Sequence, residues 1–172
     1  MGRKVLAILF LILLFKASGF CFCFEKAGAL YGVNPALLWA IGWVESNLNH
    51  SAVNYNSNGT KDVGVMQINS FWKDKVCWRS VEKHPCYNVM VAAWILRMCA
   101  DKYGYDWNAV CCYHTGKPLS ALKGEARKRA LRYIRKVHEA LVKASALQAS
   151  FEASSRESRA AQSSNPQARA FF

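Results

Sequence analysis

Residues 43–72 read WVESNLNHSAVNYNSNGTKDVGVMQINSFW, and this stretch carries the chain from the end of a helix into a segment of turns. The helix is legible in the residues before it. Asn34-Pro35 supplies a cap and then a proline in the first turn, and Leu38, Trp39, Ile41 and Val44 follow at near-helical spacing. A helix is therefore predicted over 35–47, with Glu45 in its last turn. Glu45 shares the stripe of Leu38 and Ile41, so its carboxyl is expected to be partly desolvated. The negative end of the helix dipole also disfavours a second negative charge there. Both effects raise its pKa and favour the protonated form that a general acid needs. A salt bridge to a core-edge Arg or Lys is the plainer reading of the same position. Beyond the helix, Asn58-Gly59 marks a tight turn. The run 63–68 alternates like one arm of a small hairpin.

Downstream, Val89, Ala92, Ala93, Leu96 and Cys99 predict a second strong helix over 87–103, stopped by Gly104. Asp106 is placed to cap a third, over 107–113, before Gly116. Pro118 opens a cationic amphipathic segment running to about residue 147, with Leu131, Ile134, Val137 and Leu141 at helical spacing. The Ser/Ala/Gln/Arg-rich stretch 154–169 has the composition of a disordered tail. Upstream, 24–31 reads as a short helix closed by Gly32.

The first residues have a different character. A basic start is followed by the apolar run 5–15, VLAILFLILLF. That run is too short to span a bilayer comfortably and has the length and flanks of a signal-peptide core, an uncleaved membrane anchor being the alternative. Cleavage after Gly19 or after Cys21 satisfies the small-residue rule equally. Export makes disulfides the default state of the cysteines. Six remain after Cys21, an even number that suits full pairing: Cys23, Cys77, Cys86, Cys99, Cys111 and Cys112. A zinc site from Cys77, His84 and Cys86 fits no standard ligand spacing, and no metal or cofactor is expected. A cysteine hydrolase built on Cys111 or Cys112 with His114 lacks a visible activating context.

The formal charge of +12 is unevenly distributed. Residues 22–122 carry nine Lys/Arg against seven Asp/Glu, whereas residues from Lys123 onward carry eleven against four. Such a C-terminal third suits an anionic partner, a membrane surface or an acidic polymer. Export argues against nucleic acid.

Three short segments, in fixed order, then carry a family resemblance: Glu45-Ser46, Gly64-Val65-Met66-Gln67-Ile68-Asn69, and Tyr113-His114-Thr115-Gly116. They resemble the soluble-lytic-transglycosylase domain, whose members carry a helix-ending Glu-Ser, a GLMQI motif and a Tyr-Asn-Ala-Gly motif. Asn88 with Ala92, Ala93 and Leu96 is similar to the helix that lies between the last two. The match covers about residues 23–116 and looks closest to small members that accompany secretion systems, conjugation machines and pili.

That resemblance implies a mainly α, lysozyme-like (goose-type) fold, a periplasmic location and peptidoglycan as substrate. It implies Glu45 as the catalytic residue, with Tyr113 hydrogen-bonded to it. Met66 and Gln67 would line the groove with Asn69 and His114, and Ser46 would support the sugar or the loop. It also implies a Cys23–Cys86 pair. His114 stands where the family has Asn, and Thr115 where it has Ala. The organisation expected is a cleaved signal at 1–21, the lysozyme-like domain with a small hairpin at 22–122, a basic helical extension at 123–149 and a disordered tail at 150–172.

Goose-type lysozymes carry carboxylates at places that fall near Asn58 and at Asn69 here. The nearby acid is Asp62, which reads as a turn-stabilising aspartate. A muramidase using Asp62 to activate water is the alternative enzyme, and a non-catalytic peptidoglycan-binding assembly factor is the alternative from another class.

Overall fold

The computed structural model describes residues 22–163. The expected signal segment at 1–21 and the last stretch of the expected tail lie outside them. In chain order the elements are α1 (Phe24–Tyr31), α2 (Pro35–Ser46), β1 (Val53–Tyr55), β2 (Lys61–Val63) and β3 (Ile68–Asn69). A single 3-10 turn, Ser70–Trp72, precedes α3 (Trp78–Lys83), α4 (Pro85–Tyr103) and α5 (Trp107–Thr115). A second, Leu119–Ala121, leads into α6 (Gly124–Ser163). The fold is mainly helical with one small sheet, as the sequence predicts.

The helix ends follow from local chemistry. Asn34 Oδ1 accepts the backbone N–H of Ala36 at 2.8 Å, which occupies a donor that α2 would otherwise leave unsatisfied. Asn47 and Leu48 both take left-handed backbone angles, so α2 stops one residue after Glu45 and the chain turns sharply away. Asp106 Oδ1 accepts from Asn108 N at 2.6 Å and starts α5.

The sheet is three-stranded and antiparallel, in the order β1-β2-β3. Asn54 stands opposite Asp62, and Asp62 opposite Asn69. The run 63–68 is not a hairpin arm. Val63 ends β2, Ile68 begins β3, and the residues between them form the turn. Gly64 (φ 77°) and Gln67 (φ 47°) are both left-handed. A side chain at Gly64 would collide with the Asn88 amide. Alternating apolar residues there reflect burial of Val65 and Met66 beneath the turn, not a strand period.

Asn88 explains how this turn is held. It is 1% exposed and sits on α4. Its Nδ2 donates to the carbonyls of Val63 (2.9 Å) and Val81 (3.2 Å), and its Oδ1 accepts from Met66 N (2.9 Å). A buried amide with both ends satisfied fixes the sheet against α4 and α3. Around it, Leu38, Ile41, Met66, Ile68, Val89 and Leu96 form the core.

The expected boundary at residue 122 is not observed. Ala130, Tyr133, Val137 and Ala140 of α6 are buried, so the first half of this helix belongs to the domain. The buried stripe also differs from the expected one: Leu131 is 44% exposed, and Tyr133 takes the inward position. Residues 154–163 continue α6, where a disordered tail was expected. That stretch lacks Gly and Pro and is rich in good helix formers, which permits continuation of a helix already nucleated by packing.

Cys23 pairs with Cys86, and Cys99 with Cys112. Cys77 and Cys111 are free thiols, Cys77 exposed and Cys111 buried. The expectation of complete pairing therefore fails among the described residues. The same pattern removes the zinc site, because Cys86 is committed to a disulfide, and it removes Cys112 as a nucleophile. Cys111 keeps its thiol but is fully buried.

Candidate active site

An open cleft of about 1310 Å³ runs between the sheet and the helices. Glu45 enters it from the end of α2 and Asp62 from β2. Gln67, Asn69, Phe71 and Trp72 come from the turn and the segment after β3. Met98 and Lys102 line it from α4, and Tyr113 and His114 from α5. The sheet side is rich in amides and the helical side adds aromatic rings, a surface suited to stacking and multiple hydrogen bonds with a glycan chain.

Glu45 is half-buried at the base of the cleft. Its pKa is raised from 4.5 to about 7, first by desolvation. The hydrogen bond from Tyr133 acts against this, and the negative charge of Asp62 adds to it. Near neutral pH the group therefore exists in comparable amounts as acid and as carboxylate. It can both give and take a proton. No salt bridge holds it among the described residues, which settles the plainer reading of its position.

The partner that orients Glu45 is not Tyr113. Tyr133 Oη donates to Glu45 Oε1 at 2.6 Å. Tyr113 Oη instead donates to the carbonyl of Met66 at 2.7 Å, bracing the 64–67 turn from inside the cleft. The hydroxyl pKa values of both tyrosines are pushed well above 10, by burial and then by the Glu45 charge, so both remain donors. Tyr133 lies beyond the expected boundary at 122, in the segment whose charge reads as a separate extension. Its signal lay in the sequence: Ala130, Tyr133, Val137 and Ala140 recur at helical spacing on one side.

His114 stacks face to face on Tyr133, with ring centroids 3.9 Å apart and planes 5° from parallel. Burial lowers its pKa, against the opposing pull of Asp62, so a neutral imidazole covers the tyrosine at neutral pH. Here His114 both lines the cleft and clamps the ring that holds Glu45.

The remaining expected site residues divide. Gln67 lines the cleft while its Nε2 donates to the Gly64 carbonyl at 2.9 Å. Asn69 lines it as well, donating to Asp62 Oδ1 at 2.7 Å. Met66 does not line it, because its side chain is fully buried beneath the turn. Ser46 Oγ donates to the Val65 carbonyl at 2.8 Å and ties the end of α2 to the turn from behind. Of the two roles expected for Ser46, the geometry supports that of holding the loop.

Asp62 is no turn residue. It lies in β2, faces the cleft, and accepts amide N–H bonds from Asn56 (2.8 Å), Asn69 (2.7 Å) and Asn54 (3.4 Å). Three amides hold one carboxylate in a fixed orientation toward the same cavity as Glu45.

A half-protonated glutamate in a glycan-sized cleft, with a carboxylate also present, is the arrangement of enzymes that act on glycosidic bonds. The chain belongs to the family described as the Transglycosylase SLT domain, whose model matches residues 22–134. That match extends past residue 122 to include Tyr133. Among curated proteins the chain is similar to Protein IpgF of Shigella flexneri, with 41% identity over 99 residues, 55% of this chain and 65% of that one. It is also similar to Invasion protein IagB of Salmonella typhimurium (strain SL1344), with 34% identity over 122 residues, 68% of this chain and 73% of that one. A third relative, X polypeptide of Escherichia coli, is 30% identical over 110 residues, 61% of this chain and 65% of that one. The chain thus spans just under two thirds of the Shigella relative's length.

Proposed function

We propose that this protein is a peptidoglycan lytic transglycosylase of the periplasm, opening the wall locally for an envelope-spanning secretion, conjugation or pilus apparatus. The observation that carries the reaction is Glu45: a single carboxyl with a pKa of about 7, held by Tyr133 in a cleft of glycan size. The apparatus is suggested by the family resemblance and by a relative named as an invasion protein. The apolar run at 5–15 supports export.

In this reading Glu45 gives its proton to the bridging oxygen as the bond from muramic C1 to that oxygen breaks. The muramic acetamido group stabilises the cation that develops at C1. The Glu45 carboxylate then takes the proton of the sugar's own 6-hydroxyl as its oxygen closes on C1. The product end is a 1,6-anhydro sugar, and no water enters. Tyr133 fits both halves, since its hydroxyl hydrogen-bonds the carboxyl in either protonation state. Neutral His114 keeps a second positive charge away from the developing cation.

A second reading is favoured by one specific observation, the three-amide cradle that aims Asp62 into the cleft. A carboxylate so placed can orient water on the other face of the sugar, giving a muramidase. Product analysis separates the two. Digested sacculi are reduced with borohydride and the muropeptides weighed. Anhydro ends resist reduction and weigh one water less than hydrolysed ends. Reducible muramic ends, with activity lost in Asp62→Asn, would establish hydrolysis. Glu45→Gln should fall to background in either case, by at least the 10²–10⁴-fold typical of one general acid–base role. Undiminished function of that variant would leave only a non-catalytic binding factor.

A further inference from the structure

One side of α6 is buried on the domain and the other carries a row of basic side chains. The buried side presents Ala130, Tyr133, Val137 and Ala140. The exposed side presents Lys128, Arg132, Arg135, Lys136 and Lys143, a row about 22 Å long at the helical rise. Glu139 is the one acid among them. Lys128 pairs with Glu125, and this is the single ion pair of α6 among the described residues. Arg132 therefore stands four residues from two other cations, Lys128 and Lys136, a like-charge spacing that weakens an isolated helix. Such an arrangement is relieved by an external counter-charge.

Two further features decide what kind. Leu131 and Val142 lie three turns apart along one edge of this row, and they are 44% and 55% exposed. A hydrated polysaccharide has no use for that aliphatic edge, whereas the headgroup–acyl boundary of a bilayer takes it up. The surface is also convex, and so has no groove to enclose sugar rings. Deep insertion of α6 as a free amphipathic helix is ruled out, because its main apolar side is occupied by the domain core.

We propose that the exposed side of α6 is an electrostatic docking ridge for an anionic phospholipid surface. Attraction there comes from basic side chains near the headgroups, supplemented by shallow contact of Leu131 and Val142. Tyr133 leaves the opposite side of the same helix toward Glu45. A protein lying on the ridge therefore turns its cleft away from the bilayer. This proposal is independent of which sugar product the cleft releases.

The test uses the full exported chain and vesicles of phosphatidylcholine, alone or mixed with phosphatidylglycerol. Co-sedimentation is expected with the mixed vesicles only, weakening steeply as salt is added. Arg132→Glu/Arg135→Glu/Lys136→Glu should lower the partition coefficient on the order of a hundredfold, with melting temperature and digestion of solubilised wall fragments unchanged. Leu131→Gln/Val142→Gln should weaken vesicle binding by a smaller factor at every salt concentration. The proposal is overturned by the absence of binding to the mixed vesicles at low salt, or by binding that survives charge reversal. It is equally overturned if the ridge binds isolated sacculi but not vesicles, which would make the wall polymer its partner.

Discussion

The hydroxyl of Tyr133 lies 2.6 Å from Glu45 Oε1, although the two residues are 88 positions apart. The bond opposes desolvation in setting the Glu45 pKa. In Tyr133→Phe that lowering influence is lost, so the pKa rises further above 7. The protonated form then persists to higher pH, and the alkaline limb of the activity profile should move upward. The maximal rate should fall, by up to about 10²-fold, because the carboxyl loses its anchor. A pH–rate profile on purified sacculi reads both effects. A reduced rate with an unmoved alkaline limb would leave Tyr133 a packing residue only.

Asp62→Asn should shift the same limb the other way. The Asp62 charge is among the causes that raise the Glu45 pKa, the smallest of the three. Without it Glu45 deprotonates at lower pH, and the alkaline limb should move modestly downward. The shift accompanies whatever the substitution does to the product, so the two readouts are taken on the same preparation.

Glu45 also makes the protein's stability depend on pH. Its pKa of about 7 lies above the 4.5 of the unfolded chain, so the native state binds the proton more tightly. The stabilisation from this proton is present in full below pH 4.5 and is lost as pH rises from there through 7, by up to about 3 kcal/mol in all. Glu45→Gln removes the dependence. Its melting temperature should exceed that of the parent by several degrees at pH 8 and by little at pH 4.5. Equal gains at both values would show that the carboxyl is not desolvated in the folded state.

Thiol labelling should divide the cysteines from Cys23 onward into three groups. Native protein should take up reagent at exposed Cys77, denatured but unreduced protein at Cys77 and Cys111, and reduced protein at all six. Loss of the Cys23–Cys86 bridge should cost more than loss of Cys99–Cys112. It closes a loop with a sequence separation of 63 against 13, and chain entropy assigns these about 4 and 3 kcal/mol. Chemical denaturation of Cys86→Ala and Cys99→Ala compares them directly.

Truncation tests where the domain ends. A chain stopped at Leu122 loses Ala130, Tyr133, Val137 and Ala140 from the core, together with the anchor of Glu45. It should be inactive and lack a cooperative thermal transition. A chain stopped at Ser145 keeps all four and should digest solubilised wall fragments at the parental rate.

Much of this protein was legible in its residues taken in order. Asn34-Pro35, Gly32 and Gly104 act on their own neighbours, so helix positions could be read from caps and stops. The position of Glu45 on an apolar stripe is likewise a local pattern, and it marks a carboxyl that burial desolvates. The ordered motifs around Gly64–Asn69 and Tyr113 identified the family.

What sequence order could not settle was which distant groups meet. Asp62 looked like a turn residue because Asn and Gly surround it, yet strand register sets it between Asn54 and Asn69, facing the cleft. Met66 sits in the motif beside Gln67, but the turn buries the first completely and leaves the second half-buried at the cleft. Tyr133 stands among arginines and lysines, and its approach to Glu45 depends on α6 folding back across α2. That approach is decided by packing over 88 residues. Local propensity determines where a helix begins and ends, whereas the pKa of a single carboxyl is set by every group the fold assembles around it.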